Sequence, residues 1–274
     1  METNTPTPVK LDRGIHVMHL FYTLERPEWS SLDSAESNQA KASLEALCQR
    51  NAHPCAPRLV VYANLGGKAD MAFMLFSREA DELGRMHHEL EACFPPGSLR
   101  RVYSYLSVTE LSEYASTEED FKRMIEHQEK LDPASPEFAA RLEAMTKKSE
   151  EYGNYRLYPE MPDWEIMCFY PMNKSRAVGA NWYALDFAER KKLMAGHARV
   201  GRTFAGRVAQ LITGSTGLDD WEWGVTLMAH QLDAIKQIVY EMRFDEVSAA
   251  YAEFGPFYIN LRMPVPALWE HLKL

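Results

Sequence analysis

Cysteine is scarce and unpaired in this chain. Cys48, Cys55, Cys93 and Cys168 are scattered through 274 residues without a CxxC pair, a pattern that suggests neither a zinc site nor a disulfide framework. Reduced, mostly buried thiols are the expectation. Long apolar runs are also missing. No stretch approaches the roughly eighteen uncharged apolar residues of a membrane span, and the N-terminal segment lacks a basic start followed by an apolar block. Neither a membrane span nor a secretory signal can be read, and a cytoplasmic location is expected. Positive charge is in deficit: 30 Lys and Arg face 39 Asp and Glu, for a net charge of -9. A general nucleic-acid binder needs a basic surface to displace phosphate counterions, so that class is excluded.

What is there suits a globular protein, with 46% hydrophobic and 25% charged residues. Against an acidic background, local basic clusters stand out. Lys174 with Arg176, and the series Arg199, Arg202 and Arg207, are candidates for holding anions, although such charges commonly only solvate a face.

Residues 1–13, polar and proline-bearing, read as a flexible arm. From 14 to 108 the pattern predicts strands over 15–24, 58–65, 69–76 and 99–108, and helices over 34–50 and 79–94. Gly66-Gly67 suits a hairpin between the second and third strands. The order β-α-β-β-α-β is the ferredoxin-like plan. Residues 109–155 turn charged and helical, with helices over 118–130 and 136–150, and read as a connector. Residues 156–274 repeat the first order: strands near 165–170, 210–213, 223–228 and 256–262, and helices over 187–204 and 231–242. The fold class is therefore α+β, with two ferredoxin-like lobes whose sheets pack face to face or close into a barrel.

The chemistry-bearing residues fall between 164 and 248. His197 lies on a helix that Asp186 can cap with Glu189 three residues on. Leu193, His197, Val200 and Phe204 share one face, so the imidazole is either a packed core residue or a ligand held by a rigid helix. Gly196 and Gly201 leave room beside it. Tyr170 closes an apolar strand and is either a packing aromatic or a redox-active phenol, with Lys174 four residues on as countercharge. Arg156, Arg243 and Ser248 offer further anion contacts, Arg243 by a two-pronged grip or else by simple pairing with neighbouring carboxylates.

The runs FYPMNK (169–174), NWY (181–183), GHARVGR (196–202), GSTGLDDWEWGVTL (214–227) and IVYEMRFDEVSAAYAEFGPFY (238–258), with Gln210 thirteen positions beyond His197, resemble the coproheme decarboxylases of the chlorite dismutase superfamily, most closely the firmicute type. The likeness is dense from about 155 to 258 and weaker in the first lobe.

The resemblance implies a dimeric α/β-barrel fold, chlorite dismutase-like, whose second lobe binds heme. It also implies peroxide-dependent conversion of two propionates of Fe-coproporphyrin III (coproheme) to vinyls, giving protoheme b. By that likeness His197 is the proximal iron ligand, Gln210 the distal residue and Tyr170 the radical-forming tyrosine. Arg156, Lys174, Arg243 and Ser248 bind propionates, while Met172 and Trp182 line the macrocycle. Hydrogen peroxide is the co-substrate, and coproheme is both substrate and cofactor. The likeness further implies a homopentamer and transient contact with coproporphyrin ferrochelatase. Chlorite dismutases carry a distal arginine where this chain has Gln210, which counts against chlorite decomposition. The alternatives are a chlorite dismutase or peroxidase on the same fold, or a heme-binding protein without turnover.

Overall fold

The computed structural model describes residues 8–274. Of the expected arm, residues 1–7 lie outside the described residues. Val9 and Lys10 are tied down: the Ala80 N–H donates to the Val9 carbonyl at 2.8 Å, and Lys10 pairs with Glu79 at 2.8 Å.

In the first lobe the chain runs β1 (His16–Leu24), a short α1 (Arg26–Ser30), α2 (Ser34–Arg50), β2 (Arg58–Leu65), β3 (Met71–Ser77), α3 (Ala80–Ala92) and β4 (Leu99–Thr109). Helix α2 starts where its chemistry dictates. Asp33 accepts the amides of Ala35 and Glu36, and the Glu36 carboxylate reaches back to the Asp33 N–H, a reciprocal cap that satisfies three otherwise unpaired donors. Gly66 and Gly67 carry φ of 87° and 74° between β2 and β3, a conformation closed to most side chains. The connector holds α4 (Glu118–Met124), one π-turn over Ile125–Glu129, and α5 (Pro136–Leu157).

The second lobe runs β5 (Ile166–Lys174), a two-residue-stranded hairpin β6 (Arg176–Ala177) and β7 (Ala180–Asn181), a 3-10 turn over Trp182–Ala184, α6 (Phe187–Arg202), β8 (Val208–Gly214) and β9 (Trp223–Ala229). It ends with α7 (Leu232–Met242), α8 (Glu246–Tyr251), β10 (Ala252–Phe254), β11 (Tyr258–Arg262) and α9 (Val265–Leu272).

Spatial order repeats between the lobes. The first is β2-β3-β1-β4 and the second β8-β9-β5-β11, each with its fourth strand paired to the second strand of the other lobe, β4 with β8 and β11 with β2. The two sheets thus close into one barrel, and of the two packings open to the sequence this is the one adopted. Alternation sorts the side chains. Val17, Phe21, Met167, Phe169, Leu211 and Met228 fill the interior, while Leu20, Tyr22 and Leu24 point outward under α2 and α3.

Three features escaped the sequence reading. Strand β5 continues through Pro171, which lacks an N–H; the ring fits because Gly255 lies beside it, where an added Cβ would stand 2.6 Å from the Pro171 ring. Helix α8 and strand β10 occupy the segment between the expected helix over 231–242 and the last strand, to which the sequence reading assigns no element. Helix α9 covers the outer face of the first lobe with Leu268, Trp269 and Leu272, Trp269 stacking on Trp29 at 5.4 Å between ring centres. Each such side chain contributes roughly 2 kcal/mol by burial.

Among the cysteines, Cys93 and Cys168 are buried, Cys48 is half-buried and Cys55 is exposed; all four are free thiols. Among the described residues no helix is long and apolar enough to cross a membrane.

Candidate functional site

Pleating places Cys168 and Tyr170 of β5, Val225 and Leu227 of β9, and Val208, Gln210 and Ile212 of β8 on the outer face of the second lobe. Strand register sets their spacing. Ile212, Val225 and Tyr170 form one row across the three strands, and Gln210, Leu227 and Cys168 form the next. Two strand spacings and a two-residue offset separate Gln210 from Tyr170 by about 12 Å between backbones. A ligand touching both must be broad and flat.

Two helices cover this face in different ways. Helix α7 buries Ala234, Ile235 and Ile238 against it. Helix α6, capped by Asp186 accepting the Glu189 N–H at 2.8 Å, has no fully buried residue, whereas its counterpart α2 in the first lobe buries Ala40, Leu44 and Leu47. The apolar face expected for α6 is therefore only partly covered, and His197 is not a core histidine. Its side chain is 31% exposed. A Cβ on Gly196 would meet nothing within 4 Å, but one on Gly201 would touch Met242 at 3.3 Å and the Gln210 amide nitrogen at 3.4 Å, so α6 approaches β8 closely there.

The His197 ring is oriented by a carboxylate. Its Nδ1 lies 2.7 Å from Asp245 Oδ2, and since a carboxylate only accepts, Nδ1 carries the proton and Nε2 is left as the basic nitrogen. Asp245 also accepts the backbone N–H and the hydroxyl of Ser248, at 3.1 and 3.0 Å. Burial raises the Asp245 pKa, but the bonds from His197 and Ser248 outweigh it and hold the carboxyl below its ordinary value. A carboxylate behind a ligating imidazole makes the ring more basic and fixes its direction.

Opposite, Tyr170 is 8% exposed, stacked on Phe257 at 4.3 Å and tilted against Phe254 at 5.8 Å. Burial raises the phenol pKa, the nearby Cys168 adds to the effect, and the Arg243 guanidinium opposes it. Arg243 itself is exposed and lies over the Phe254 ring at 3.9 Å, so Phe254 bridges the arginine and the tyrosine. Met172 ends the same strand face, opposite Trp223 on β9 and Phe254 on β10.

Lys174 is buried, with Nζ over the Trp182 ring at 4.6 Å. Burial depresses its pKa from 10.5 to about 8, while Asp245 and Glu222 pull it back up. The depressed value favours the neutral amine in the folded protein. Burial of Lys174 therefore costs stability fully below pH 8, and that cost fades as pH rises toward 10.5. For an anionic ligand the sign is the reverse of convenience: the ammonium that attracts it is lost as pH rises through about 8. Binding of a carboxylated porphyrin, followed by absorbance titration from pH 6 to 9.5, is expected to weaken with an inflection near that value, and Lys174→Met to remove the inflection.

Contacts link these residues in groups: His197 with Asp245, Lys174 with Trp182, Tyr170 and Met172 through Phe254 with Arg243, and Gln210 with α6 at Gly201. Ser248 lies beside them, but its hydroxyl is used by Asp245. Arg156 stands further out, its Nε 3.3 Å from the Glu110 carbonyl, at the strand ends where Glu110 lies against Gly214. Sequence reasoning missed Asp245 as a partner of His197. The signal was present, since Asp245-x-x-Ser248 is a helix N-cap pattern that fixes the carboxylate one element away from α6. It also missed Phe254 and Phe257, whose contacts depend on β10 and the turn after it.

The donor set fits an iron porphyrin. Among the described residues no group of three or more His, Cys, Asp and Glu side chains could hold a bare metal ion. One imidazole can ligate iron that arrives with its other ligands in a macrocycle.

Comparison with known proteins places these features. The family model described as chlorite dismutase matches residues 37–263. A heme-binding protein from Thermus thermophilus shares 36% identity over 98% of both chains, with a TM-score of 0.77. Two variants of the chlorite dismutase from Candidatus Nitrospira defluvii share the fold at 17% identity over 96% of this chain and 97–98% of theirs, with TM-scores of 0.71 and 0.70. A match over most of the chain, joined to a relative more than one-third identical along its whole length, makes this chain a member of the chlorite dismutase family.

Proposed function

We propose that the protein is a peroxide-dependent decarboxylase of ferric coproporphyrin III, converting two propionates to vinyls and yielding protoheme b. The observation that carries this reading is a buried phenol and a buried ammonium four residues apart on β5, with Asp245, the carboxylate that orients the α6 imidazole, close enough for its charge to act on that ammonium. A chemistry that oxidises an anionic side arm needs those three groups together. Each propionate consumes one hydrogen peroxide: R–CH2–CH2–COOH + H2O2 gives R–CH=CH2 + CO2 + 2 H2O.

The bound iron porphyrin, with peroxide, supplies the oxidising equivalents. The protein's residues do the rest. His197, its Nδ1 proton held by Asp245, offers Nε2 to the iron. Lys174 and Arg243 attract carboxylates to the side where Tyr170 stands. Tyr170 would give up its hydroxyl hydrogen, the electron passing to the bound group, and take one from the propionate β-carbon; as CO2 leaves that carbon radical the second electron would pass to the same group, completing the two-electron oxidation that one peroxide supplies. Its burial against Phe254 and Phe257 keeps water from the phenoxyl oxygen. Gln210, neutral, adds no charge to the sheet face it shares with Tyr170. Met172 and Trp182 line the macrocycle, and Arg156 and Ser248 stand at its edges. A homopentamer in the cytoplasm receiving coproheme from coproporphyrin ferrochelatase belongs to the same reading.

The description of the Thermus relative as heme-binding favours a second reading, a carrier without turnover. One experiment separates them. The protein is mixed with ferric coproporphyrin III, peroxide is titrated in, and products are weighed by mass spectrometry. A decarboxylase yields a mono-vinyl and then a di-vinyl porphyrin; a carrier yields only bleached starting material, and that result removes the proposal. Oxygen release from chlorite would instead indicate a chlorite dismutase.

A further inference from the structure

Glu222 is a charged residue with its side chain 7% exposed, placed where the loop after β8 enters β9. Its backbone is clamped on both sides: the N–H donates to Asn173 Oδ1 at 2.8 Å, and the carbonyl accepts the Ser215 N–H at 2.7 Å. Its carboxylate faces the cations of the candidate site. One oxygen accepts the Lys174 backbone N–H at 3.1 Å, and the other accepts the Arg176 guanidinium. The Lys174 ammonium lies within reach of the same negative charge and of Asp245.

The two partners differ in freedom. The Arg176 side chain is 65% exposed and lies over the half-exposed Tyr183 ring at 5.5 Å, on a hairpin that turns at Gly179 with φ of 83°. Glu222 cannot leave, because its backbone is part of the barrel rim; the guanidinium can. Asp245 is already occupied by His197 and Ser248. Glu222 is therefore the carboxylate that competes with a ligand for Arg176 and for Lys174.

Resting on the porphyrin reading above, we infer that Glu222 is a specificity-determining residue: an internal carboxylate that holds Arg176 and Lys174 in check, so that ligands rich in carboxylates are favoured over poorer ones by a limited margin. A ligand with four carboxylates gains more from these cations than one with two. By weakening both, Glu222 narrows that gap.

The test uses full-length protein and two probes, ferric coproporphyrin III with four carboxylates and ferric protoporphyrin IX with two, titrated by absorbance. Glu222→Gln keeps shape and an acceptor for the Lys174 N–H while removing the charge. It is expected to tighten coproporphyrin binding by about tenfold, from one unit charge a few ångströms away in a partly screened site, and protoporphyrin binding by less. Arg176→Gln, an exposed substitution, leaves Glu222 to capture Lys174 alone; coproporphyrin binding is expected to weaken several-fold. The double variant is expected to lose most of the gain.

An unchanged ratio of the two affinities in Glu222→Gln, or a gain insensitive to Arg176, would overturn the inference while leaving the porphyrin reading intact. Should Glu222→Gln fail to fold, an unchanged ratio in Arg176→Gln overturns it equally. Failure of the unsubstituted protein to bind either probe would remove the porphyrin reading itself, and this inference with it.

Discussion

Tyr170→Phe is expected to bind ferric coproporphyrin III with near-normal affinity and to form vinyl groups at least about a thousandfold more slowly, a loss of about 4 kcal/mol in transition-state terms. The substitution removes one oxygen from a ring that is otherwise packed on Phe257 and Phe254, so the strand, its register with Val225 and the neighbouring Lys174 keep their places. What is lost is the only hydrogen that the side chain can exchange with a propionate β-carbon. The measurement is product mass after peroxide titration, with the absorbance spectrum recorded first to show that the porphyrin is bound. Undiminished di-vinyl product would exclude Tyr170 from the chemistry, even if every other residue kept its role.

His197→Ala is expected to lower iron-porphyrin affinity by two orders of magnitude or more, on the order of 3 kcal/mol, and to shift the Soret band. Added imidazole should restore part of the original spectrum by entering the space left open on α6. The apoprotein is affected too. Asp245, with its side chain 5% exposed, loses its bond from Nδ1 and keeps only Ser248, which costs about 1–3 kcal/mol of stability. A thermal melt of the apoprotein measures that second effect separately. An unaltered Soret band would reject His197 as the ligand.

Much of the fold was legible because periodicity depends on local chemistry. Strands β1, β2 and β4 and helix α2 fell within a residue or so of their observed limits, since their alternation, capping residues and the Gly66-Gly67 turn lie in the segments themselves. Strand β5 ran longer than read because Pro171 signals a stop, and Gly255, more than eighty residues away, makes room for it. The burial of Tyr170 was not legible for the same reason: Phe254 and Phe257, which cover it, lie more than eighty residues further along the chain.

Composition and spacing alone determined an acidic α+β chain with two β-α-β-β-α-β lobes and a concentration of candidate ligands in the second. Tertiary structure decided that the lobes close through β4 with β8 and β11 with β2, that Tyr170 and Gln210 share one outer sheet face, and that Asp245 pairs with His197 while Glu222 pairs with Arg176. The reason lies in the range of the forces. A helix cap or a turn is set within a few residues, whereas the pairing of a carboxylate with an imidazole 48 positions away exists only after α6 and α8 have packed together.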